Sequence, residues 1–433
     1  MKAVVLAGGK GTRLGLKDIP KVMVPIDGTP LLERTVRAAV RDGVTDFVFL
    51  NGHFAKVIEK HFSDGSEFGA SIRHVVETEP LGTAGSFNQI RELLVDPFVV
   101  IYGDVLMDVD LRAFSEFALR RGGVGTLFVH PNDHPYDSDL LETDVDDRIL
   151  AFHPKPHDAA AHFPNLVSAA LYFLTPEALD FVPPAGASDW GRDVMGRLAE
   201  TQSLYAYRSC EYIKDVGTPD RHARAERHLR EGRVARLSRR LSKPAVFLDR
   251  DGVINEELDG VYSPSQVKLV AGAASAVRTF NEAGVPVICI TNQPGLAKGF
   301  MDWKDLRAIG GEVDYHLIEE AGAYLDDIFV CPHHPEGGWP GEVKSLKIQC
   351  ECRKPRDGML REAAETHNID LSRSWMVGDR YCDIAAARSA GLKSVLVKSG
   401  HGGNDKDQFE VFPDQYCADL AHAAQLILDD LAC

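Results

Sequence analysis

Residues 246–255 read VFLDRDGVIN. Three apolar residues, Val246 to Leu248, end abruptly at Asp249 and Asp251, with Gly252 behind them. This is the pattern of a short buried strand delivering two carboxylates to its carboxyl end, the edge at which open α/β sheets bind ligands. Residues two apart on an extended segment point the same way, so both acids face one ligand: Asp249 as nucleophile, Asp251 as proton donor and then base. Solvated strand-to-turn junctions also carry Asp and Gly, so the residues downstream have to decide between the two readings.

Downstream, the apolar, β-branched run Pro286 to Ile290 ends in Thr291-Asn292-Gln293, and a hydroxyl and an amide at a strand end offer donors to phosphoryl oxygens. Arg353-Lys354-Pro355 adds fixed positive charge. Trp375 to Val377 then runs into Gly378-Asp379, with Asp383 following. Carboxylates suit a hard divalent cation, so Asp249, Asp251 and Asp379 are candidate Mg2+ ligands, with Asp383 in or just behind that shell. Between these motifs stand Cys331-Pro332-His333-His334 and Cys350-Glu351-Cys352. Two such pairs, separated by a Gly/Pro-rich loop with little to bury, can place three sulfurs and one nitrogen around Zn2+ as a structural staple. Cys331, His333, Cys350 and Cys352 make the compact set; the neighbouring His334 stays open at this point. Cys352 lies two residues before Lys354, so the metal would fix that lysine without taking part in chemistry.

At 433 residues the chain is too long for one ordinary core, and 44% hydrophobic residues are enough to bury two. The net charge of −16 argues against a general nucleic-acid or anionic-membrane binder and leaves small anionic substrates open. No run reaches the length of a membrane span, and the N-terminal apolar stretch is soon interrupted by glycines, unlike a signal peptide. Eight cysteines, three of them in the metal-like cluster, fit a reducing compartment, so a cytoplasmic protein is expected.

Toward the N-terminus, Ala3 to Leu6 is an apolar strand running straight into Gly8, Gly9, Lys10, Gly11, Thr12 and Arg13. Glycines let backbone N–H groups approach an anion, and Lys10 and Arg13 can neutralise a triphosphate. Pro20-Lys21-Val22-Met23-Val24-Pro25 follows, then a helical pattern over 31–41, a strand over 47–50, Leu81-Gly82-Thr83-Ala84-Gly85, and a strand over 98–102 ending in Gly103-Asp104. LAGGKGTRL, PKVMVP, EPLGTAG and YGD, in this order, resemble the sugar-1-phosphate nucleotidyltransferase family, and the likeness extends to Asp215-Val216-Gly217-Thr218-Pro219.

That resemblance implies that Gly8 to Arg13 hold a nucleoside triphosphate, with Arg13 and Lys21 on the transferring phosphates. Gly82 and Thr83 would line the base pocket. Asp104 and Asp215 would share a Mg2+. Lys155 would meet the sugar phosphate, although Phe152-His153-Pro154-Lys155-Pro156 lacks the acid that usually precedes Lys-Pro. Residues 165–174 resemble the family's strand below the sugar, with Ser168-Ala169 where an Asn-Ala pair is usual, so an atypical sugar is expected. Glu77 and Glu79 could accept from the paired N–H edge of guanine, which favours GTP.

DRDGVIN, TNQ, RKP and GDRYCD resemble the haloacid-dehalogenase-like phosphatases, which implies an aspartyl-phosphate on Asp249, with Thr291, Asn292, Arg353 and Lys354 around the phosphate. FLDRDGVIN, TNQPGLAKG and CPHHPEG resemble the branch acting on D-glycero-D-manno-heptose 1,7-bisphosphate; the histidinol-phosphate branch would carry an acid where Pro294 stands. The expected fold is α/β, two Rossmann-like three-layer domains: a nucleotidyltransferase over 1–235, a basic linker over 236–243 and a phosphatase over 244–433. Its expected partners are GTP, heptose bisphosphate and heptose 1-phosphate, with neither nucleic acid nor membrane; nothing fixes the oligomeric state. The alternatives are a hexose-1-phosphate transferase fused to a histidinol-phosphate phosphatase, and a sugar-nucleotide sensor with one inactive domain.

Overall fold

The computed structural model describes residues 1–9, 19–158 and 161–432. They form two compact units: Met1–His130, Tyr136–His157 and Val167–Ser238 in the first, and Pro131–Pro135, Asp158–Leu166 and Arg239 onward in the second. Both are α/β. Among the described residues no helix is long and apolar enough to cross a membrane.

The first unit is built on a mixed sheet whose central path runs Ile149–His153, Leu140–Thr143, Val167–Leu174, Phe98–Tyr102, Lys2–Ala7, Asp46–Asn51, Ser71–Val76. Lys2–Ala7 pairs in parallel with both neighbours, so its side chains are covered on both faces, and Ala3, Val4 and Val5 are fully buried. The expected helix over 31–41 is present as Leu31–Arg41, its Leu32, Val36 and Ala39 turned into the core at helical spacing. Val167–Leu174 carries a bulge between Ser168 and Tyr172, where Ala170 has a φ of 58°. Bulges of this kind re-aim side chains.

The second unit has a six-stranded, all-parallel sheet in the order Asp327–Cys331, Val287–Asn292, Val246–Leu248, Trp375–Gly378, Lys393–Val397, Gln415–Cys417. Val246–Leu248 lies centrally, and the strand order reverses there, the position where doubly wound sheets open a crevice for ligands. Side chains alternate across it as a period of two requires. Val246, Leu248, Val287, Cys289, Trp375 and Val377 enter one apolar layer, and Phe247, Ile288, Ile290 and Met376 the other. Helices Ala273–Ala283, Trp303–Ala321 and Leu420–Leu431 supply the first layer; Gly358–His367 and Tyr381–Ala390 supply the second.

The segment Asp158–Leu166 of this unit packs on the helix Trp303–Ala321. His162 stacks on Tyr315 with ring centroids 3.7 Å apart and pairs with Glu312 at 2.6 Å. A Cβ on Gly311 would stand 2.6 Å from the His162 carbonyl oxygen, so only glycine permits this approach. The N–H of Asn165 donates to the Asp314 carboxylate at 2.8 Å. Burial pushes the Asp314 carboxyl up to about 7, against that single N–H.

Candidate active sites

In the first unit the strand Lys2–Ala7 leads to Gly8 and Gly9, while Lys10, Gly11, Thr12 and Arg13 lie outside the described residues. Lys21 is buried at 7% exposure, and its ammonium touches Asp104 at 2.5 Å and Asp215 at 2.9 Å. Burial alone would lower its pKa, but the two carboxylates outweigh it and hold the lysine charged. Two strands bring the acids together: Phe98–Tyr102 ends just before Asp104, and Tyr212–Asp215 pairs with Val105–Asp108. A Cβ on Gly217 would fall 2.7 Å from the Lys21 ammonium, so this glycine leaves the approach open. Asp104 and Asp215 thus converge on one cationic point, a geometry able to hold a divalent ion if the ammonium moves aside.

Sequence reading missed Arg221. It pairs with Asp215 at 2.8 Å and with Asp137 at 2.5 Å, so one face of the arginine-rich helix Pro219–Arg230 turns into the site rather than to solvent. Burial would raise the Asp215 carboxyl, yet Lys21 and Arg221 hold it below the usual carboxylate range. The signal was available: Thr218-Pro219 caps a helix directly after Asp215, which places Arg221 in its first turn. Lys155 donates its ammonium to the Asp137 carbonyl at 3.0 Å and its N–H to Asp139 at 3.1 Å. His153 pairs with Glu142 at 2.9 Å.

Gly82 has a φ of 75°, and a Cβ there would stand 2.3 Å from the Ser188 carbonyl oxygen. Thr83 donates to Asp189 at 2.6 Å. Glu77 lies half-buried beside Gly8, held by the Leu81 N–H and the Ser86 hydroxyl, whereas Glu79 is exposed. Burial pushes the Glu77 carboxyl up against those two donors.

In the second unit Asp249 leaves the central strand and accepts from Lys354 at 2.8 Å; Lys354 also meets Asp383 at 2.7 Å and the Ile290 carbonyl at 2.8 Å. Burial would lower the lysine's pKa, and the two acids reverse this. The carboxylates of Asp249, Asp379 and Asp383 lie within 4.8 Å of one another. Burial pushes Asp249 up to about 7 against Lys354, and burial with the charge of Asp249 pushes Asp379 up to about 8. Three buried acids around one lysine are an incomplete charge balance. The Asp379 Oδ1 atom is buried without a hydrogen-bond partner, while Oδ2 accepts the His401 N–H at 2.6 Å. Cβ atoms on Gly252 or Gly400 would stand 2.4 and 2.3 Å from that Oδ2, so both glycines shape the cradle. Hard oxygen donors with one atom unpaired fit a divalent cation.

Two of the expected site residues have side chains engaged by neighbours. Asp251 is not in that carboxylate group: its side chain is held by Arg250 at 3.0 Å, Asn255 at 2.9 Å and Gln293 at 2.8 Å. Burial would raise its pKa, but Arg250 and the two amides hold it below the usual range. The Asn292 side chain pairs reciprocally with the Lys354 backbone, 3.1 Å each way, and so positions the lysine. Gln293, quoted in the motif without a role, spans Asp251 and Thr291, each at 2.8 Å.

Cys331, His333, Cys350 and Cys352 come together, with sulfurs 3.2 to 3.6 Å apart and the His333 ring nitrogen 3.3 Å from Cys352. A tetrahedron with ~2.3 Å zinc–sulfur bonds has edges of about 3.8 Å, close to these. The Cys331 thiol and burial push Cys352 up, and burial pushes Cys350 up, a crowding of protons that a cation would relieve. His334 instead turns its ring against Trp339 at 5.2 Å. Arg353 donates to the His333 carbonyl at 3.3 Å, which ties the cluster to the residue before Lys354.

The nucleotidyl transferase family model matches residues 2–232, and the HAD-hydrolase-like model matches residues 351–423. The D-glycero-D-manno-heptose-1,7-bisphosphate 7-phosphatase of Thermosynechococcus vestitus is 39% identical over 197 residues, covering 44% of this chain and 99% of that protein. Among solved structures, D,D-heptose 1,7-bisphosphate phosphatase from B. bronchiseptica, complexed with magnesium and phosphate, is 35% identical; the match covers 43% of this chain and 99% of that one, with a TM-score of 0.38. HddC from Yersinia pseudotuberculosis is 24% identical over 53% of this chain and 99% of its own, with a TM-score of 0.46. The chain belongs to the nucleotidyl transferase family and also to the family of D-glycero-D-manno-heptose-1,7-bisphosphate 7-phosphatases.

Proposed function

We propose that the protein is a bifunctional enzyme that makes a nucleotide-activated heptose: it hydrolyses the 7-phosphate of D-glycero-D-manno-heptose 1,7-bisphosphate and then transfers a nucleotidyl group, from GTP by preference, to the heptose 1-phosphate. The observation that carries this reading is that one chain brings Lys21, Asp104 and Asp215 together in one unit and Asp249, Lys354, Asp379 and Asp383 together in the other. A nucleotidyltransferase consumes a sugar 1-phosphate, so a partner phosphatase must spare the anomeric phosphate and act elsewhere on the sugar. Cleavage at carbon 7 meets that condition.

In the phosphatase, Asp249 attacks phosphorus, the bond to the carbon-7 oxygen breaks, and Asp251 protonates the leaving alkoxide; Asp251 then takes a proton from the water that opens the aspartyl-phosphate. Held below its usual range in the free protein, Asp251 gains its proton as a phosphoryl dianion settles beside it and opposes that shift. Lys354 and the Thr291 hydroxyl face the phosphoryl oxygens, and Arg353 contributes charge at the rim. Asp249 and Asp379, steadied by Asp383, would hold Mg2+, which when bound offsets the repulsion between an anionic nucleophile and an anionic substrate. Cys331, His333, Cys350 and Cys352 would hold Zn2+ as a structural staple.

In the transferase, the sugar phosphate oxygen attacks the α-phosphorus and pyrophosphate leaves, so positioning and charge carry the rate. Asp104 and Asp215 would hold a second Mg2+, which would neutralise triphosphate charge, and Lys21 and Arg13 would supply the fixed positive charge for the transferring phosphates. Glu77, fixed next to Gly8, supports the guanine preference.

The test is incubation of the purified protein with heptose 1,7-bisphosphate and each NTP in turn, with products identified by mass. Asp249→Asn should abolish sugar-nucleotide formation from the bisphosphate and spare it from heptose 1-phosphate. Asp104→Asn should do the reverse, with phosphate still released and heptose 1-phosphate accumulating. A nucleotide sugar still carrying its 7-phosphate, made by Asp249→Asn at the unaltered rate, would show that the phosphatase acts last. Faster turnover with UTP or ATP would remove the GTP preference.

A further inference from the structure

The segment before Lys155 reads Phe152-His153-Pro154, with no acid in it, and His153 is engaged with Glu142. Yet a carboxylate does reach the Lys155 backbone: Asp139 Oδ1 accepts the Lys155 N–H at 3.1 Å. Asp139 is also stitched to the bulged strand that carries Ser168, whose N–H donates to the Asp139 carbonyl at 3.0 Å. Its Oδ2 atom lies over Gly191, where a Cβ would stand 2.3 Å away, and accepts no hydrogen bond among the described residues. The nearby carboxylate of Asp189, by contrast, is fully used, by the N–H groups of Gly191 and Arg192 and by the Thr83 hydroxyl. The rings of Tyr102 and Tyr172 have centroids 5.8 Å apart; the Tyr172 hydroxyl sits in the electrostatic field of both acids, with the Ser168 hydroxyl beside it, and the Tyr102 hydroxyl in that of Asp189.

A largely buried acceptor with a spare oxygen, next to the lysine read as the sugar-phosphate contact and hydrogen-bonded to the strand read as the floor of the sugar site, is built to take hydroxyl donors. Burial pushes its pKa up against the amide and ammonium of Lys155, as expected for a carboxylate short of donors. We propose that Asp139 is the specificity residue that accepts hydrogen bonds from hydroxyls of the sugar 1-phosphate, supplying from a neighbouring strand the acid missing before Lys155; the inference rests on the transferase reading above. The ligand class is a polyhydroxylated sugar 1-phosphate presenting hydroxyls on the side of its phosphate.

The test compares heptose 1-phosphate, mannose 1-phosphate and monodeoxy mannose 1-phosphates, read as pyrophosphate release. The unaltered protein should lose at least about tenfold in kcat/KM on one deoxy analogue, the cost of leaving a charged acceptor unpaired. Asp139→Asn keeps the shape and an acceptor for the Lys155 N–H. It should raise KM for the parent sugar phosphate by at least about tenfold, leave KM for the nucleotide within about twofold, and shrink the deoxy penalty below about threefold. Gly191→Ala, whose Cβ displaces the carboxylate, should give the same selective loss, and it decides the matter if Asp139→Asn does not fold. Equal deoxy penalties in variant and parent would mean that Asp139 only props the Lys155 backbone, and the inference fails alone. If the unaltered protein releases pyrophosphate with none of these sugars, the transferase reading fails and this falls with it.

Discussion

Gln293 shows how much of a site can rest on a side chain that holds other side chains in place. Its amide holds Asp251 and Thr291 in place, and with Arg250 it keeps the acid ionised in the free protein. Gln293→Leu should lower kcat for phosphate release by roughly 10–100-fold with little change in KM. Because the lost hydrogen bond favoured the carboxylate, the acid limb of the pH profile should move upward. A profile that stays in place would mean that Arg250 and Asn255 suffice. Residues of this kind mark the limit of what the sequence shows. Asp249 and Asp104 are legible because each stands just after an apolar run, where a strand must deliver it; Lys21, Asp215 and Lys354 are legible through motifs that resemble known families. Gln293 on Asp251 and Thr291, Arg221 on Asp215 and Asp139 on Lys155 act laterally, and lateral contact leaves no periodicity to read. The same gap explains Asp251: alternation places it beside Asp249, but only the fold reveals Arg250, Asn255 and Gln293 claiming its oxygens.

Among elements, the loop from Cys331 to Cys352 and the helix Trp303–Ala321 each carry a testable load. If zinc staples the loop, Cys350→Ser or chelation should lower phosphatase activity at least about tenfold through disorder at Arg353-Lys354 and leave pyrophosphate release within about twofold. Equal loss in both half-reactions would assign the metal to the stability of the entire chain. On the helix, Asp314 is buried with a single donor and a carboxyl raised to about 7. An acid whose pKa is raised on folding binds its proton more tightly in the native state, so stability is retained below the unfolded value and is lost as pH rises toward 7. Asp314→Asn, which still accepts the Asn165 N–H, should therefore be the more stable protein. Its advantage should grow from pH 5 to 7 and level off above, reaching a few kcal/mol at most, measured by denaturant unfolding. A difference independent of pH would show that folding leaves the Asp314 pKa unshifted. The helical spacing at Leu31–Arg41 and the strand at Phe98–Tyr102 were readable from periodicity; the docking of His162 and Asn165 was not, because a short polar segment has no pattern that announces its partner.

At the scale of the whole molecule, the second unit is not a simple C-terminal piece. It includes Pro131–Pro135 and Asp158–Leu166, which interrupt the first unit in sequence. A fragment spanning 239–433 would expose Gly311, Tyr315 and Asp314, so it should unfold at lower denaturant than the same unit in the full chain and lose the pH dependence assigned to Asp314. Matching midpoints would show the segment contributes nothing to stability. This interleaving also bears on synthesis at the ribosome. Asn165 is made 149 residues before its acceptor Asp314. At about 5–20 residues per second, the nascent segment must wait roughly 7–30 s for its partner to emerge. During that interval Asn165 has only its early-made partner Asn132, so a unit assembled from three stretches of chain completes this seam last, when its own helix Trp303–Ala321 arrives.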